Sequence, residues 1–77
     1  MDEKAIMEIK FSRHARRQMK WRKIGVEEVR NVVSEPERLE DSIRGRKNAF
    51  KSFGGRRLKV TYKEDREETV IITAVVK

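Results

Sequence analysis

The sequence predicts an α+β domain in which two N-terminal helices pack on one face of a small antiparallel β-sheet, a meander of three or four strands. Two observations predict this fold. Apolar residues recur at helical spacing before Pro36 and alternate with polar residues after it. The pair Gly54-Gly55 is typical of a two-residue hairpin turn. We expect one domain over residues 1–77, because so short a chain cannot enclose a second core.

The first helix is predicted from Ser12 to Lys23. Ser12 is a natural N-cap, since its hydroxyl can accept a hydrogen bond from a backbone N–H of the first turn. At 100° per residue, Phe11, Ala15 and Met19 lie on one side of this helix. The remaining surface is strongly basic, and the apolar side is expected to pack on the sheet.

The second helix is predicted from Val26 to Ser34, with Gly25 as its N-cap and Pro36 beyond its end. Ile24 and Val29 occupy the two positions of a hydrophobic staple, which fixes the angle between the helices. The valines share one narrow face, so we interpret this helix as structural.

The second half of the chain alternates as strands do. Strands are expected at 39–42, 47–53, 57–63 and 69–76, with a charged turn at 64–67. Residues Ile6 to Phe11 form either a further short strand or a lead-in that packs on the core. In strand 57–63 one face is apolar and the other carries Arg57, Lys59 and Thr61.

The charge pattern predicts a polyanionic partner. The net charge is +7, and the stretches 10–26 and 43–63 hold seven and eight Lys/Arg without a single carboxylate. With no cysteine and one histidine, neither a metal nor another cofactor is expected. The sequence contains no apolar run of membrane-spanning length and no signal peptide, so we expect a cytoplasmic protein without a membrane partner.

Several side chains are candidates for chemistry on a polyanion. His14 is the only imidazole, and histidine changes charge near neutral pH. Arg57 and Lys59 share a strand face and suit phosphate binding, and Thr73 is a hydroxyl in an apolar strand. The predicted catalytic residues are His14, Arg57 and Thr73. The predicted phosphate-binding residues are Arg13, Arg17, Arg46, Lys47, Lys51, Arg56 and Lys59.

The run FSRHARRQMKWRKIGVEEVRNVV, followed by a basic hairpin and by VIITAVV, resembles a small prokaryotic family known as a domain of unknown function. That family is similar to the RelE/ParE and BrnT toxins, within the barnase–colicin–RelE group of metal-independent ribonucleases. The resemblance covers residues 11–75. It implies a RelE-like fold and emphasises the His-Ala pair at the start of the first helix and the Thr-Ala pair of the last strand.

The leading hypothesis is therefore a toxin-like, RNA-directed domain, a metal-independent endoribonuclease of a toxin–antitoxin system. Its expected partners are RNA, including ribosome-associated mRNA, and an acidic antitoxin. The alternatives are a non-catalytic module that binds nucleic acid or protein through the same basic surface, and a ParE-like toxin whose target is a protein. The lone histidine, without an evident second proton carrier, counts against efficient catalysis.

Overall fold

The computed structural model describes residues 8–65 and 68–77. Within them, two helices cover one face of a five-stranded sheet, which confirms the α+β class and the two-helix layer. The elements are β1 (Glu8–Phe11), α1 (Arg13–Arg22), α2 (Val26–Ser34), β2 (Arg38–Asp41), a short 3₁₀ turn (Ile43–Gly45), β3 (Arg46–Phe53), β4 (Arg56–Asp65) and β5 (Glu68–Val76).

The strand order is β1-β5-β4-β3-β2, so the sheet is mixed and not purely antiparallel. Strands β2 to β5 form the predicted meander. Strand β1 pairs with β5 in parallel, with Phe11 opposite Ile71. The expected antiparallel meander of three or four strands is therefore present as β2 to β5, and β1 adds a fifth, parallel strand that makes the sheet mixed. The four residues of β1 have a weak local pattern, and their partner lies about 60 residues away, where local spacing gives no information on pairing.

Both helices begin and end close to the predicted residues. The Ser12 hydroxyl accepts a 3.0 Å hydrogen bond from the Ala15 N–H and donates a second, also 3.0 Å, to the Ile72 carbonyl. The N-cap therefore also ties α1 to β5. Lys23 ends the helix with a φ of 57°. Gly25 begins α2, and its N–H donates to the Glu28 carboxylate at 2.9 Å.

The core lies between the helices and the sheet. Its largest fully buried side chains come from α2, β4 and β5 and include Val29, Leu58 and Ile71. Ala15 and Met19 bring α1 onto this core, as the helical spacing predicts. Ile24 is buried with Val29, which agrees with the predicted staple. The apolar face of β4 thus determines which side of the sheet the helices cover.

Strand ends differ slightly from the expectation. The hairpin at Gly54-Gly55 is confirmed, with φ of 49° and 94°, values that favour glycine. The predicted turn at 64–67 was partly wrong, because β4 continues through Asp65; residues 66–67 lie outside the described part of the chain, as does Ile6. Between β4 and β5 a bulge leaves Ile72 without a partner in the register.

Candidate functional site

The sheet face opposite the helices carries the candidate site, and we call it the open face. Side chains alternate along a strand, so the residues that pair with one another across β3, β4 and β5 form transverse rows on this face. In the order in which they follow each other along β4, the rows of the described chain are Ser52–Arg57, Phe50–Lys59–Val75, Asn48–Thr61–Thr73 and Arg46–Lys63–Val70.

The first two rows combine cations with an aromatic ring. The Arg57 guanidinium carbon lies 5.6 Å from the centroid of the Phe50 ring, and the Arg38 guanidinium of β2 lies 5.8 Å from it. Lys59 pairs directly with Phe50. Among the described residues, Arg57 and Lys59 form no ion pair with a carboxylate. This end of the open face offers positive charge beside a flat apolar surface.

The third row is polar and lies at the middle of the face. The Thr61 hydroxyl donates to the Asn48 side-chain carbonyl at 2.7 Å. Within the described chain this leaves the Asn48 amide hydrogens free to donate elsewhere. Thr73 lies opposite Thr61 across β4 and β5. A ligand crossing this row meets two hydroxyls and an amide.

Carboxylates are confined to the margins of the open face. Asp65 and Glu68 pair at one end, and Glu68 forms a 3.1 Å ion pair with Lys10. Glu40 of the edge strand β2 is bonded to Arg38 at 2.5 Å. Arg57 and Lys59 thus lie at one end of β4, which we call the cationic end, with the Glu37 carboxylate at its β3 margin on the Ser52 N–H. At the other end of β4, Asp65 and Glu68 lie beyond the Arg46–Lys63 row. Electrostatic attraction favours the binding of an anion at the cationic end.

The acid-free stretch 43–63 does not form a single surface. Arg46, Arg57 and Lys59 lie on the open face. Lys47, Lys51 and Arg56 do not lie on that face: by strand alternation they project toward the helices, where carboxylates distant in sequence approach them. Lys47 lies 3.9 Å from Glu64, and Lys51 lies 3.8 Å from Glu35. Their predicted role in phosphate binding stays a prediction.

Arg56 occupies the junction of the two helices. Its Nη2 donates to both carboxylate oxygens of Glu28, at 2.8 and 3.0 Å. Its Nη1 donates to the carbonyls of Arg22 and Lys23 at the end of α1. The N–H of Gly25 and the Arg56 guanidinium together lower the pKa of Glu28, the Gly25 bond contributing most. One guanidinium thus joins α1, α2 and β4.

His14 is exposed on α1 and forms no hydrogen bond or ion pair with another described residue. Two residues of this region, one before and one after His14 in the sequence, bond α1 to β5. Ser12 bonds to Ile72, and the Gln18 side-chain carbonyl accepts a 3.3 Å hydrogen bond from the Ala74 N–H. Because His14 and Gln18 are four residues apart, they lie on the same flank of the helix. His14 therefore lies near the edge of β5 at residues 72–76, the stretch of this strand beyond its pairing with β1.

The three predicted catalytic residues do not converge on one point. Thr73 projects onto the open face beside Thr61, near the stretch of β5 to which α1 is attached. Arg57 lies four residues from Thr61 along β4, which separates their backbones by about 13 Å. Lys59 lies between them. The arrangement brings Lys59, Thr61 and Thr73 together on the open face. His14 lies on the other side of the sheet, on the helix that is bonded to the edge of β5.

Arg13 and Arg17 lie on the exposed outer side of α1, separate from the open face. Asn48 and Phe50, which complete the open face, were not predicted as site residues. A signal for them existed: a two-residue turn at Gly54-Gly55 sets Phe53 opposite Arg56. Counting back from that pair places Phe50 opposite Lys59 and Asn48 opposite Thr61.

Tyr62, whose ring is buried on the helix-covered side, has a pKa raised by burial and by the Glu64 charge. Within the described part of the chain, no cluster of three His, Cys, Asp or Glu side chains has the geometry to bind a metal ion. None of the described helices is long and apolar enough to cross a membrane.

Comparison with curated proteins and with solved structures gives no match. Comparison with protein-family models matches residues 11–76, from the end of β1 through β5, to a domain of unknown function, DUF4258. The match includes both helices and the four strands that form the open face. The chain therefore belongs to the DUF4258 family.

Proposed function

We propose that this protein is a toxin-like, RNA-directed domain whose open face binds the phosphodiester backbone of RNA. The observation that supports this most is the pair of rows that places Arg57 and Lys59, both without a carboxylate partner in the described chain, beside the Phe50 ring. Cations that bind phosphate and a ring on which a base can stack are the two components of single-strand recognition.

The polar row extends the same argument. Asn48, Thr61 and Thr73 present hydrogen-bonding groups about 7 Å along β4 from Lys59, since two residues of a strand span that distance. Such groups can bind the sugar hydroxyl or the edge of a base. The open face thus provides charge, stacking and hydrogen bonding in successive rows, in the order in which a strand lying along β4 would meet them.

Binding is tested by titrating a labelled, unstructured RNA oligonucleotide and measuring fluorescence anisotropy at several salt concentrations. Arg57→Gln/Lys59→Gln should weaken binding by about tenfold or more, because two phosphate contacts are lost. The slope of log K against log salt should become less steep by about 1.4, because each of the two lost phosphate contacts contributes about 0.7 on a single strand. Arg30→Gln/Arg44→Gln, which removes the same charge elsewhere, is the matched control.

Equal losses in the two double variants would contradict the proposal, because they would show that net charge alone drives the binding. If the wild type binds no RNA, the open face must serve a protein, as in the ParE-like alternative. An acidic partner protein that competes for Arg57 and Lys59 would then support that alternative.

Cleavage is a second candidate function, and the position of His14 near the edge of β5 favours it. In metal-independent cleavage the 2′-oxygen attacks phosphorus as it loses its proton, and the P–O5′ bond breaks as that oxygen gains one. The products are a 2′,3′-cyclic phosphate and a 5′-hydroxyl. His14 would move one of these protons, and Lys59 would stabilise the phosphorane charge.

This step is tested by incubating wild type and His14→Ala with labelled RNA in EDTA. Cleavage by the wild type that disappears in the variant while binding remains would establish His14 as the proton carrier. Binding by both proteins without cleavage, on free RNA and on ribosome-associated mRNA, would leave a binding module.

A further inference from the structure

The outer side of α1 is a second cationic surface, which we call the α1 strip: Arg13, Arg16, Arg17, Lys20 and Trp21. All five side chains are exposed. They lie opposite Ala15 and Met19, the residues that α1 packs on the core. The helix body and the edge of β5 separate this strip from the open face, so the two surfaces face different directions.

The α1 strip lacks the acidic neighbours that accompany Lys47, Lys51, Arg56 and some other cations among the described residues. Among the described residues, none of its four Lys/Arg forms an ion pair. The first turn of α1 contains no acidic residue, whereas the first turn of α2 contains Glu27 and Glu28. By contrast, Lys47, Lys51 and Arg56 each lie within 4 Å of a carboxylate. Within the described part of the chain, the positive charge of the strip is therefore available to an external partner.

The charges of the strip also destabilise α1, the helix that carries them. Arg13 and Arg17 are four residues apart, as are Arg16 and Lys20, and like charges at this spacing destabilise a helix. Arg13 lies at the end of α1 where the helix dipole is positive. An arrangement that opposes helix stability, and that no described carboxylate offsets, is accounted for if a polyanion binds there.

We infer that the α1 strip binds the phosphate backbone of double-stranded RNA; this inference rests on the proposed RNA-directed function and extends it. Four of the five strip residues are cations, the Trp21 ring already has the Arg22 guanidinium 5.0 Å from its centroid, and the neighbour Gln18 is bonded to Ala74. An RNA duplex is recognised mainly through its shape and its phosphates, which requires cations and not base readers. The open face, with its ring and amide, suits an unpaired strand.

The substrate class that fits both surfaces is an RNA in which an unpaired strand adjoins a duplex, such as a stem-loop. The duplex would lie against α1, and the strand would pass around the edge of β5 onto the open face. His14 lies on the flank of α1 near that edge, in the sequence between Ser12 and Gln18, which bond to β5. The junction of stem and strand is then the part of the RNA closest to the imidazole.

The inference is tested by measuring the affinity of three double variants for two labelled probes, a blunt RNA duplex and an unstructured single strand. Arg13→Gln/Arg17→Gln should weaken duplex binding roughly tenfold and change single-strand binding less than about twofold. Arg57→Gln/Lys59→Gln should do the reverse. Arg30→Gln/Arg44→Gln, with the same net charge, should change both only slightly.

Two further readouts separate binding from folding. Because Arg13→Gln/Arg17→Gln removes a like-charge pair, its melting temperature should equal or exceed that of the wild type. Trp21 is the only tryptophan, is 75% exposed and lies with the Arg22 guanidinium 5.0 Å from its ring. Its fluorescence should change when the duplex is added and stay constant when the single strand is added.

Equal loss of duplex affinity in the Arg13/Arg17 and Arg30/Arg44 variants would overturn the inference. So would a wild type that binds the single strand but not the duplex, a result that leaves the proposed function intact. A wild type that binds neither probe would overturn both.

Discussion

Arg56 and Arg57 are neighbours in the sequence, yet they lie on opposite faces of the sheet and have different surroundings. Arg56 projects toward the helices and donates four hydrogen bonds, to Glu28 and to the end of α1. Arg57 projects onto the open face beside Phe50, and in the described chain it has no carboxylate partner. A basic dipeptide thus contributes one arginine to the architecture and one to a surface.

The difference shows that an acid-free stretch of sequence is not an acid-free surface. Strand alternation divides the stretch 43–63 between two faces, and folding brings carboxylates from α2 and from the end of β4 to one of them. On the other face, Arg57 and Lys59 have no carboxylate partner within the described chain. To infer the partners of a charged residue, one must therefore know which face of the sheet it lies on as well as which residues surround it in the sequence.

The largest expected effect compares the two faces at adjacent residues. Leu58 is fully buried on the helix-covered face, and Lys59 lies on the open face. Leu58→Ala should lower the free energy of unfolding by about 2–5 kcal/mol, because it leaves a cavity in the core. Lys59→Ala should lower it by less than about 1 kcal/mol. Urea denaturation of both variants measures the contrast, and similar losses would show that the open face is also packed.

A smaller effect compares the two arginines. Arg56→Gln removes the charge-assisted bonds to Glu28 and should cost about 1 kcal/mol, because the side chain is 35% exposed and solvent screens part of the interaction. This corresponds to a decrease of about 4–8 °C in melting temperature for a domain of this size. Arg57→Gln should leave the melting temperature nearly unchanged. A larger loss of stability for Arg57→Gln than for Arg56→Gln would reverse the assignment of the two faces.

The smallest effect is a pH dependence at the helix junction. The pKa of Glu28 is lowered from its ordinary value of 4.5, first by the Gly25 N–H and then by Arg56. Its ionised form therefore stabilises the fold above about pH 4.5, and this contribution is lost as the pH falls through the lowered pKa. The difference in unfolding free energy between wild type and Glu28→Gln should be full at pH 7 and shrink as the pH falls from about 4.5 through the lowered pKa.

Glu27→Gln is the matched control for this pH dependence. Glu27 lies in the same first turn of α2, so it shares the favourable helix dipole, but it makes no hydrogen bond or ion pair among the described residues. Glu27→Gln should change the free energy of unfolding at pH 7 by less than Glu28→Gln does. A difference as large as that of Glu28→Gln would assign the effect to the dipole and not to the junction.

Much of the fold could be predicted from local sequence. Ser12, Gly25 and Pro36 mark helix ends through their own backbone chemistry, and Gly54-Gly55 marks the hairpin through its positive φ. The parallel pairing of β1 with β5 could not be predicted, since it depends on residues about 60 positions apart.

The candidate site was harder to predict. Alternation placed Arg57 and Lys59 on one face, and the hairpin register could also have added Phe50 and Asn48. The pairing of Lys51 with Glu35, and of Arg56 with Glu28, depends on where α2 packs, which no local pattern specifies. The location of His14 near the edge of β5 likewise follows from the tertiary bonds of Ser12 and Gln18.

The position of β5 between β1 and β4 has a consequence for how the chain folds as it is made. Strand β5 joins β1 to the rest of the sheet, and it is the last described strand to leave the ribosome. Before β5 is made, β1 and α1 cannot form their contacts with it. Until then, one side of β4 and the apolar side of α1 have no partner. Folding should therefore be late and cooperative, and a chain released before residue 68 should be a substrate for chaperones and proteases.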